Sequence, residues 1–352
     1  MAASAFAKIP FDKVVRDRVA LEADESRSNN PICAGLVQSV YVVECHKKPA
    51  RSYSLHRSDV FDPAHAGHSE FMMTTHTHQT APTQFVEARG VRFAYRRFGK
   101  AGAVPIVFNQ HFQGTLDHWD PAVTNGLART REVILFDNAG VAASSGETPS
   151  GFQKMAANAI AFISALGLTK VDILGFSIGG MVSQEITLQA PELVRRLILV
   201  GTGPRGADMS TSQSSSIFAA SYEPAEHLWL KVHFSPSETS QAAGLAFLER
   251  KLRRRNRDPL VGQQTMDAQL AAIGEYLAYQ RVDGHLEYLK TIRQPTLVVQ
   301  GSNDVIIPTY NSLVLQQTLP NAQLIIYPDA NHGSFYQYPE LFVAHASLFL
   351  DG

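Results

Sequence analysis

Cysteine is nearly absent from this 352-residue chain: there are two, Cys33 and Cys45, both near the N-terminus. That excludes a disulfide framework for the main fold and fits a reducing compartment. An excess of one charge is lacking too. The formal net charge of −1 gives no electrostatic reason to expect nucleic acid or an anionic membrane as a partner. No apolar run approaches the roughly 20 residues of a transmembrane helix. The opening "MAASAFAKIPFDKVVRDR" has no continuous apolar segment of the secretory kind, and Asp12 and Asp17 argue against a transit peptide. A cytoplasmic protein is therefore expected. No glycine-rich phosphate loop follows a strand and no Cys/His cluster has metal-ligand spacing, so neither a cofactor nor a metal is expected.

What is present is ordinary globular composition, 45% hydrophobic and 18% charged, in a length suited to one large α/β domain with insertions or two smaller domains. Residues 1–80 stand apart. They hold both cysteines and six of the 13 histidines, including His76 and His78, and show no sustained period of 2 or 3.6. "CAGLVQSVYVVEC" fits one short strand, but the segment has too little apolar surface for its own core and is expected to be largely disordered. Met72 and Met73 precede a polar linker, and translation starting there is one expectation.

From Gln84 the pattern changes. "TQFVEA" and "VRFAYRRFG" alternate apolar with polar around Arg89-Gly90, which predicts an antiparallel hairpin. Compact apolar runs at 104–109, 132–137, 171–176, 196–201 and 296–301 suit buried parallel strands, with an edge or near-edge strand at 323–328. Helical patterns fall between them at 121–130, 152–167, 178–190 and 309–319, the first opened by Asp120 as N-cap and Pro121. The alternation predicts a mostly parallel sheet covered on both faces. It is interrupted over 205–291, where three amphipathic helices are expected to form an inserted helical cap. The core is thus divided into 81–204 and 292–352.

The basic run "ERKLRRRNRD" at 249–258 lies in one of those helices. Its apolar stripe reads as Leu245, Leu248 and Leu252, which predicts a solvated cationic face rather than a nucleic-acid site.

"VDILGFSIGG" carries the chemistry. Gly175 and Gly179 remove side chains that would collide where a strand turns sharply into a helix, and that corner would expose the Ser177 hydroxyl above the sheet. The Ile178 N–H and the helix N-terminus would then favour an oxyanion. An N-cap serine in a glycine-rich turn is the plainer alternative. As base, His332 in "PDANHGSF" follows the last strand. As carboxylate, Asp304 in "GSNDVIIP" follows the strand before it, with Asp329 as runner-up. The order serine, acid, histidine is the one this topology requires. The loop "NQHFQGTLDHWD" offers the Phe112 N–H as a second oxyanion donor, with Gly114 permitting the turn.

With these parts together, residues 84–352 resemble the α/β-hydrolase superfamily in its serine-nucleophile branch with a small helical cap. The resemblance rests on "GFSIGG", "GSNDVIIP" and "NHGSF", with "VILFDNAGVAASSG" matching the strand and loop where an aspartate, a glycine and a serine recur. It implies a Ser177–His332–Asp304 triad acting on a small-molecule substrate by acyl transfer to water. A carboxylate at the elbow, as in dehalogenases and epoxide hydrolases of this fold, is ruled out by Ser177. One departure is His111, where the oxyanion loop commonly has glycine. It places an imidazole near a pocket to which Trp229 and Phe335 are also assigned. The expected function is hydrolysis of a small or medium, largely apolar ester or lactone. C–C bond hydrolysis, cofactor-free perhydrolysis and a non-catalytic small-ligand-binding protein remain open, as does the oligomeric state.

Overall fold

The computed structural model describes residues 76–222, 226–279 and 284–352. Cys33, Cys45, Met72, Met73 and the strand anticipated near them lie outside the described residues. Among the described residues eight strands form one sheet: β1 (Gln84–Ala88), β2 (Val91–Gly99), β3 (Ile106–Asn109), β4 (Glu132–Phe136), β5 (Val171–Phe176), β6 (Val194–Val200), β7 (Thr296–Gly301) and β8 (Ala322–Tyr327). Their spatial order is β1-β2-β4-β3-β5-β6-β7-β8. The β1–β2 hairpin turns on Arg89 and Gly90, both at positive φ, the geometry whose twist matches paired strands. β2 runs antiparallel to β4, and from β4 to β8 every pairing is parallel.

The helices are α1 (Pro121–Ala128), α2 (Phe152–Ala165), α3 (Ile178–Gln189), α4 (Ser214–Ala219), α5 (Glu226–His233), α6 (Glu238–Leu252), α7 (Gln263–Leu277), α8 (Tyr310–Thr318), α9 (Ser334–Gln337) and α10 (Pro339–Asp351). Asp120 caps α1 by accepting the Ala122 N–H at 2.8 Å, with Pro121 in the first turn where its missing donor costs nothing. Successive residues of the central strands face opposite sides. Val107 and Ile173 pack with Phe152, Phe162 and Ile186 of α2 and α3, while Ile106, Phe108 and Leu174 pack with Val123, Phe342 and Phe349 of α1 and α10. Both faces are therefore dry, as the continuous apolar runs require.

Between β6 and β7 the described residues form four α-helices rather than three, because the first stretch is non-helical at Ser221–Tyr222 between α4 and α5. The basic run departs in part from the expected solvated face: Arg253 and Arg255 are exposed, whereas Lys251 and Arg254 are buried. α6 ends at Leu252, and its buried side chains are Ser240, Gly244, Phe247, Leu248 and Lys251, whereas Leu245 is 59% exposed. Arg250 pairs with Asp120 at 2.7 Å. Arg254, 5% exposed, donates to the carbonyls of His78 and Gln79. Asp258 accepts from Arg96, which also binds Asp117 at 2.6 Å. Arg96 and Arg254 are buried, and Arg250 half-buried, because carboxylates and carbonyls of the core meet them, a partnering no periodicity encodes.

His78 is likewise inside the fold. It is fully buried, its backbone N–H donates to Asn125 Oδ1, and its ring lies against Phe98. Residues 76–80 thus belong to the folded body, which corrects the boundary drawn at 80. Among the described residues no helix is long and apolar enough to cross a membrane.

Candidate active site

β5 delivers Ser177 to the carboxyl edge of the sheet. The backbone there is at φ 58°, ψ −123°, a region that costs a non-glycine residue about 1–3 kcal/mol. It is locked by the Ser177 N–H donating to Val200 O at 2.9 Å. Ser177 occupies the N-cap position of α3, yet its side chain makes no capping bond. The plainer alternative, a serine kept for capping, therefore does not describe this residue. The flanking glycines are required by close approach. A Cβ on Gly175 would lie 2.3 Å from Gly179 O, and one on Gly179 would lie 2.1 Å from Asn109 O.

Asp304 and His332 sit on the loops after β7 and β8. Asp304 Oδ1 accepts the Ile306 and Ile307 N–H groups at 2.8 and 2.9 Å, leaving Oδ2 to face His332 Nδ1 at 2.8 Å. A carboxylate there accepts, so Nδ1 carries the ring proton and Nε2 is left basic. Asn331 anchors the same loop, accepting from the Val305 N–H and donating to the carbonyls of Lys231 and Phe234. The His332 ring lies 4.9 Å, centroid to centroid, from that of Phe176, the residue before Ser177. Elbow, histidine and acid are thus gathered at one edge of the sheet. Asp329 is elsewhere engaged: it accepts from Ser235 at 2.6 Å and from Ser237, which together hold its carboxyl below the usual range.

The loop after β3 packs directly on the first turn of α3, since the Gly179 Cβ position is also 2.7 Å from Gln110 O. Gln110 braces it from within, accepting the His111 N–H and donating to Thr115 O, both at 2.9 Å. Gln113 takes the positive φ of 57°, while Gly114 is needed because the Gln110 side chain occupies the place of its Cβ. The Gln113 N–H donates to Gln269 Oε1 of α7 at 2.8 Å, tying the inserted helices to this loop. Gly114 N–H returns to His111 O. Among the described residues this leaves the N–H groups of Phe112 and Ile178 with no hydrogen bond.

Around this edge lies a histidine-rich cluster that no spacing announced. His111 packs against Phe176 and Trp229 at 5.4 Å each, His118 at 5.9 Å and His233 at 5.7 Å. Trp229 stacks on His233 at 4.7 Å, with the Lys251 ammonium 3.8 Å from its centroid. Burial, above all, lowers the pKa of all three histidines: His111 to about 3, His118 and His233 well below the ordinary value. Phe335, assigned to the pocket, instead has no exposure and packs with Phe176, Tyr336 and Phe342 in the core.

A cavity of about 40 Å³ touches His111, Ile178, Gly179 and Gln269, and also Asp137, whose carboxyl burial holds well above the usual range. A groove of about 470 Å³ between α1, α6 and α10 is larger, but no residue of the candidate site lines it.

A doubly covered, mostly parallel sheet with a strained serine elbow and a histidine–carboxylate pair at one edge defines an α/β hydrolase. The model of the alpha/beta hydrolase fold family matches residues 104–339, and the chain belongs to that family. A solved alpha/beta hydrolase fold protein from Chitinophaga pinensis is 42% identical, with a TM-score of 0.73 over 79% of this chain and 100% of that one. A pimeloyl-[acyl-carrier protein] methyl ester esterase from Nitrosomonas europaea is 34% identical over 185 residues, 50% of this chain and 69% of that protein. A meta-cleavage product hydrolase from Pseudomonas fluorescens, 17% identical, shares the fold with a TM-score of 0.59 over 76% of this chain and 97% of that one.

Proposed function

We propose that the protein is a serine hydrolase cleaving a small or medium, largely apolar carboxylic ester or lactone. The observation that carries this reading is Ser177 held at positive φ with its hydroxyl excused from capping, beside a histidine whose Nδ1 is claimed by Asp304. His332 Nε2 takes the Ser177 proton as the hydroxyl oxygen attacks the carbonyl carbon. The Phe112 and Ile178 N–H groups receive the oxyanion, each such donor lowering the barrier by about 3 kcal/mol. Collapse of the tetrahedral adduct breaks the acyl–oxygen bond, and His332 returns its proton to the departing alcohol. Water, deprotonated by His332, then releases the acid and restores Ser177.

The helices between 205 and 291 serve as a cap over this edge, and Trp229 on α5 and His111 form the pocket wall. Similarity to the Nitrosomonas esterase supports ester chemistry over the C–C alternative. The scarcity of cysteine supports a cytoplasmic location. The reading is tested with short-chain nitrophenyl esters. Wild type turns them over with a burst of nitrophenol equal to the enzyme present, and Ser177→Ala shows neither burst nor turnover. Undiminished turnover by Ser177→Ala would end the proposal.

A further inference from the structure

The mechanism leaves three buried imidazoles beside His332 unused, and backbone groups fix how each one presents its edge. His111 Nδ1 lies 2.8 Å from Phe112 O and His233 Nδ1 lies 3.0 Å from Trp229 O. A carbonyl only accepts, so both Nδ1 atoms carry the proton and both Nε2 atoms are lone-pair acceptors. His118 is the reverse: its Nδ1 accepts the Thr115 N–H at 3.0 Å, which makes its Nε2 a donor.

His111 Nε2 is buried and has no hydrogen-bond partner, and the residue is 8% exposed. An acceptor left in that state costs about 1–3 kcal/mol, which a phenylalanine of the same shape would not. His111 also immediately precedes the proposed oxyanion donor Phe112 and lines the same cavity as Ile178, the other proposed donor. Trp229 on α5 fills the space against all three rings, at 5.4, 5.2 and 4.7 Å from His111, His118 and His233. The adjoining cavity of about 40 Å³ already has room for a group the size of a hydroxyl.

We propose that His111 Nε2 accepts a hydrogen bond from a hydroxyl on the substrate's acyl portion, making hydroxylated esters or lactones the preferred substrates. His118, whose Nε2 is a donor, would supply a hydrogen bond to the oxygen of this hydroxyl. The inference rests on the serine-hydrolase reading and narrows its substrate class. Discrimination follows from the geometry, because a substrate lacking the hydroxyl leaves the buried acceptor unpaired.

The test compares kcat/KM, by pH-stat titration, for methyl butanoate, methyl 2-hydroxybutanoate and methyl 3-hydroxybutanoate. Wild type is expected to favour one hydroxy ester about tenfold or more over methyl butanoate, the effect of pairing one buried acceptor. In His111→Phe, which keeps a ring against Phe176 and Trp229, that ratio falls to about one. In His111→Gln, which restores an acceptor, part of it returns. Because the ratio is read within each enzyme, a general loss of activity or folded protein cancels. A wild-type ratio near one, a preference that survives in His111→Phe, or no turnover of any of the three esters overturns the proposal. Fluorophosphonate labelling of Ser177 in the same preparation separates the two claims: labelling without hydroxyl preference defeats this inference alone, and no labelling defeats the serine-hydrolase reading beneath it.

Discussion

Replacing Asp304 by asparagine changes one heavy atom and isolates what the carboxylate does. Oδ1 of the new side chain can still accept the Ile306 and Ile307 N–H groups, now at 2.8 and 2.9 Å, so the loop after β7 keeps its turn. The other atom becomes an NH2 facing His332 Nδ1, where the carboxylate Oδ2 stood 2.8 Å away. Two donors cannot share that space, so the imidazole shifts its proton to Nε2 and presents a donor, not a base, toward Ser177. The stability change is expected within about 1 kcal/mol, since the buried backbone donors stay paired. The rate change is far larger. Loss of the correct tautomer in such a triad costs about 10⁴-fold in kcat, equivalent to roughly 5 kcal/mol of barrier. The assay is nitrophenyl-ester turnover alongside thermal unfolding of the same protein. Activity within tenfold of wild type, in a variant that melts normally, would refute the claim that Asp304 orients His332.

Two further outcomes follow from the same geometry. His78 and His111 are held to about 3 by burial, against about 6.5 in the unfolded chain, so between these values the unfolded state binds a proton that the native state does not. Stability is therefore full above pH 6.5 and falls on acidification by up to about 1.4 kcal/mol per pH unit for each residue; urea unfolding at pH 7.5 and 5.5 measures this, and His78→Gln should flatten the slope by one proton. Gln269→Ala removes the acceptor of the half-buried Gln113 N–H, loosening the loop that carries Phe112. A fall in kcat larger than any change in KM is expected, with about 1–3 kcal/mol lost in stability, and unchanged kcat would show that α7 does not hold that loop.

The central strands and the elbow were legible because their causes are local. An apolar run followed by small residues around a serine can only be tolerated where backbone segments approach as closely as Gly175 and Gly179 permit. The acid and histidine loops were legible through chain order. The histidine cluster was not, because His118, His111 and His233 meet only after the loop beyond β3 and helix α5 pack together. The basic run misled for a related reason. Lys251 and Arg254 look like a solvated face until Trp229 and the carbonyls of His78 and Gln79, far away in sequence, are brought against them. Gly114 showed a smaller version of this. Its role is to make room for Gln110, while the turn itself is made by Gln113.

The central claim is that the strained hydroxyl of Ser177 is the nucleophile. The direct measurement is labelling of the native protein with a fluorophosphonate, followed by peptide mass spectrometry to find the modified residue. The account predicts one adduct per chain, on the peptide containing Ser177, and none in Ser177→Ala. A folded wild type that takes no label, or takes it on another residue, would contradict it.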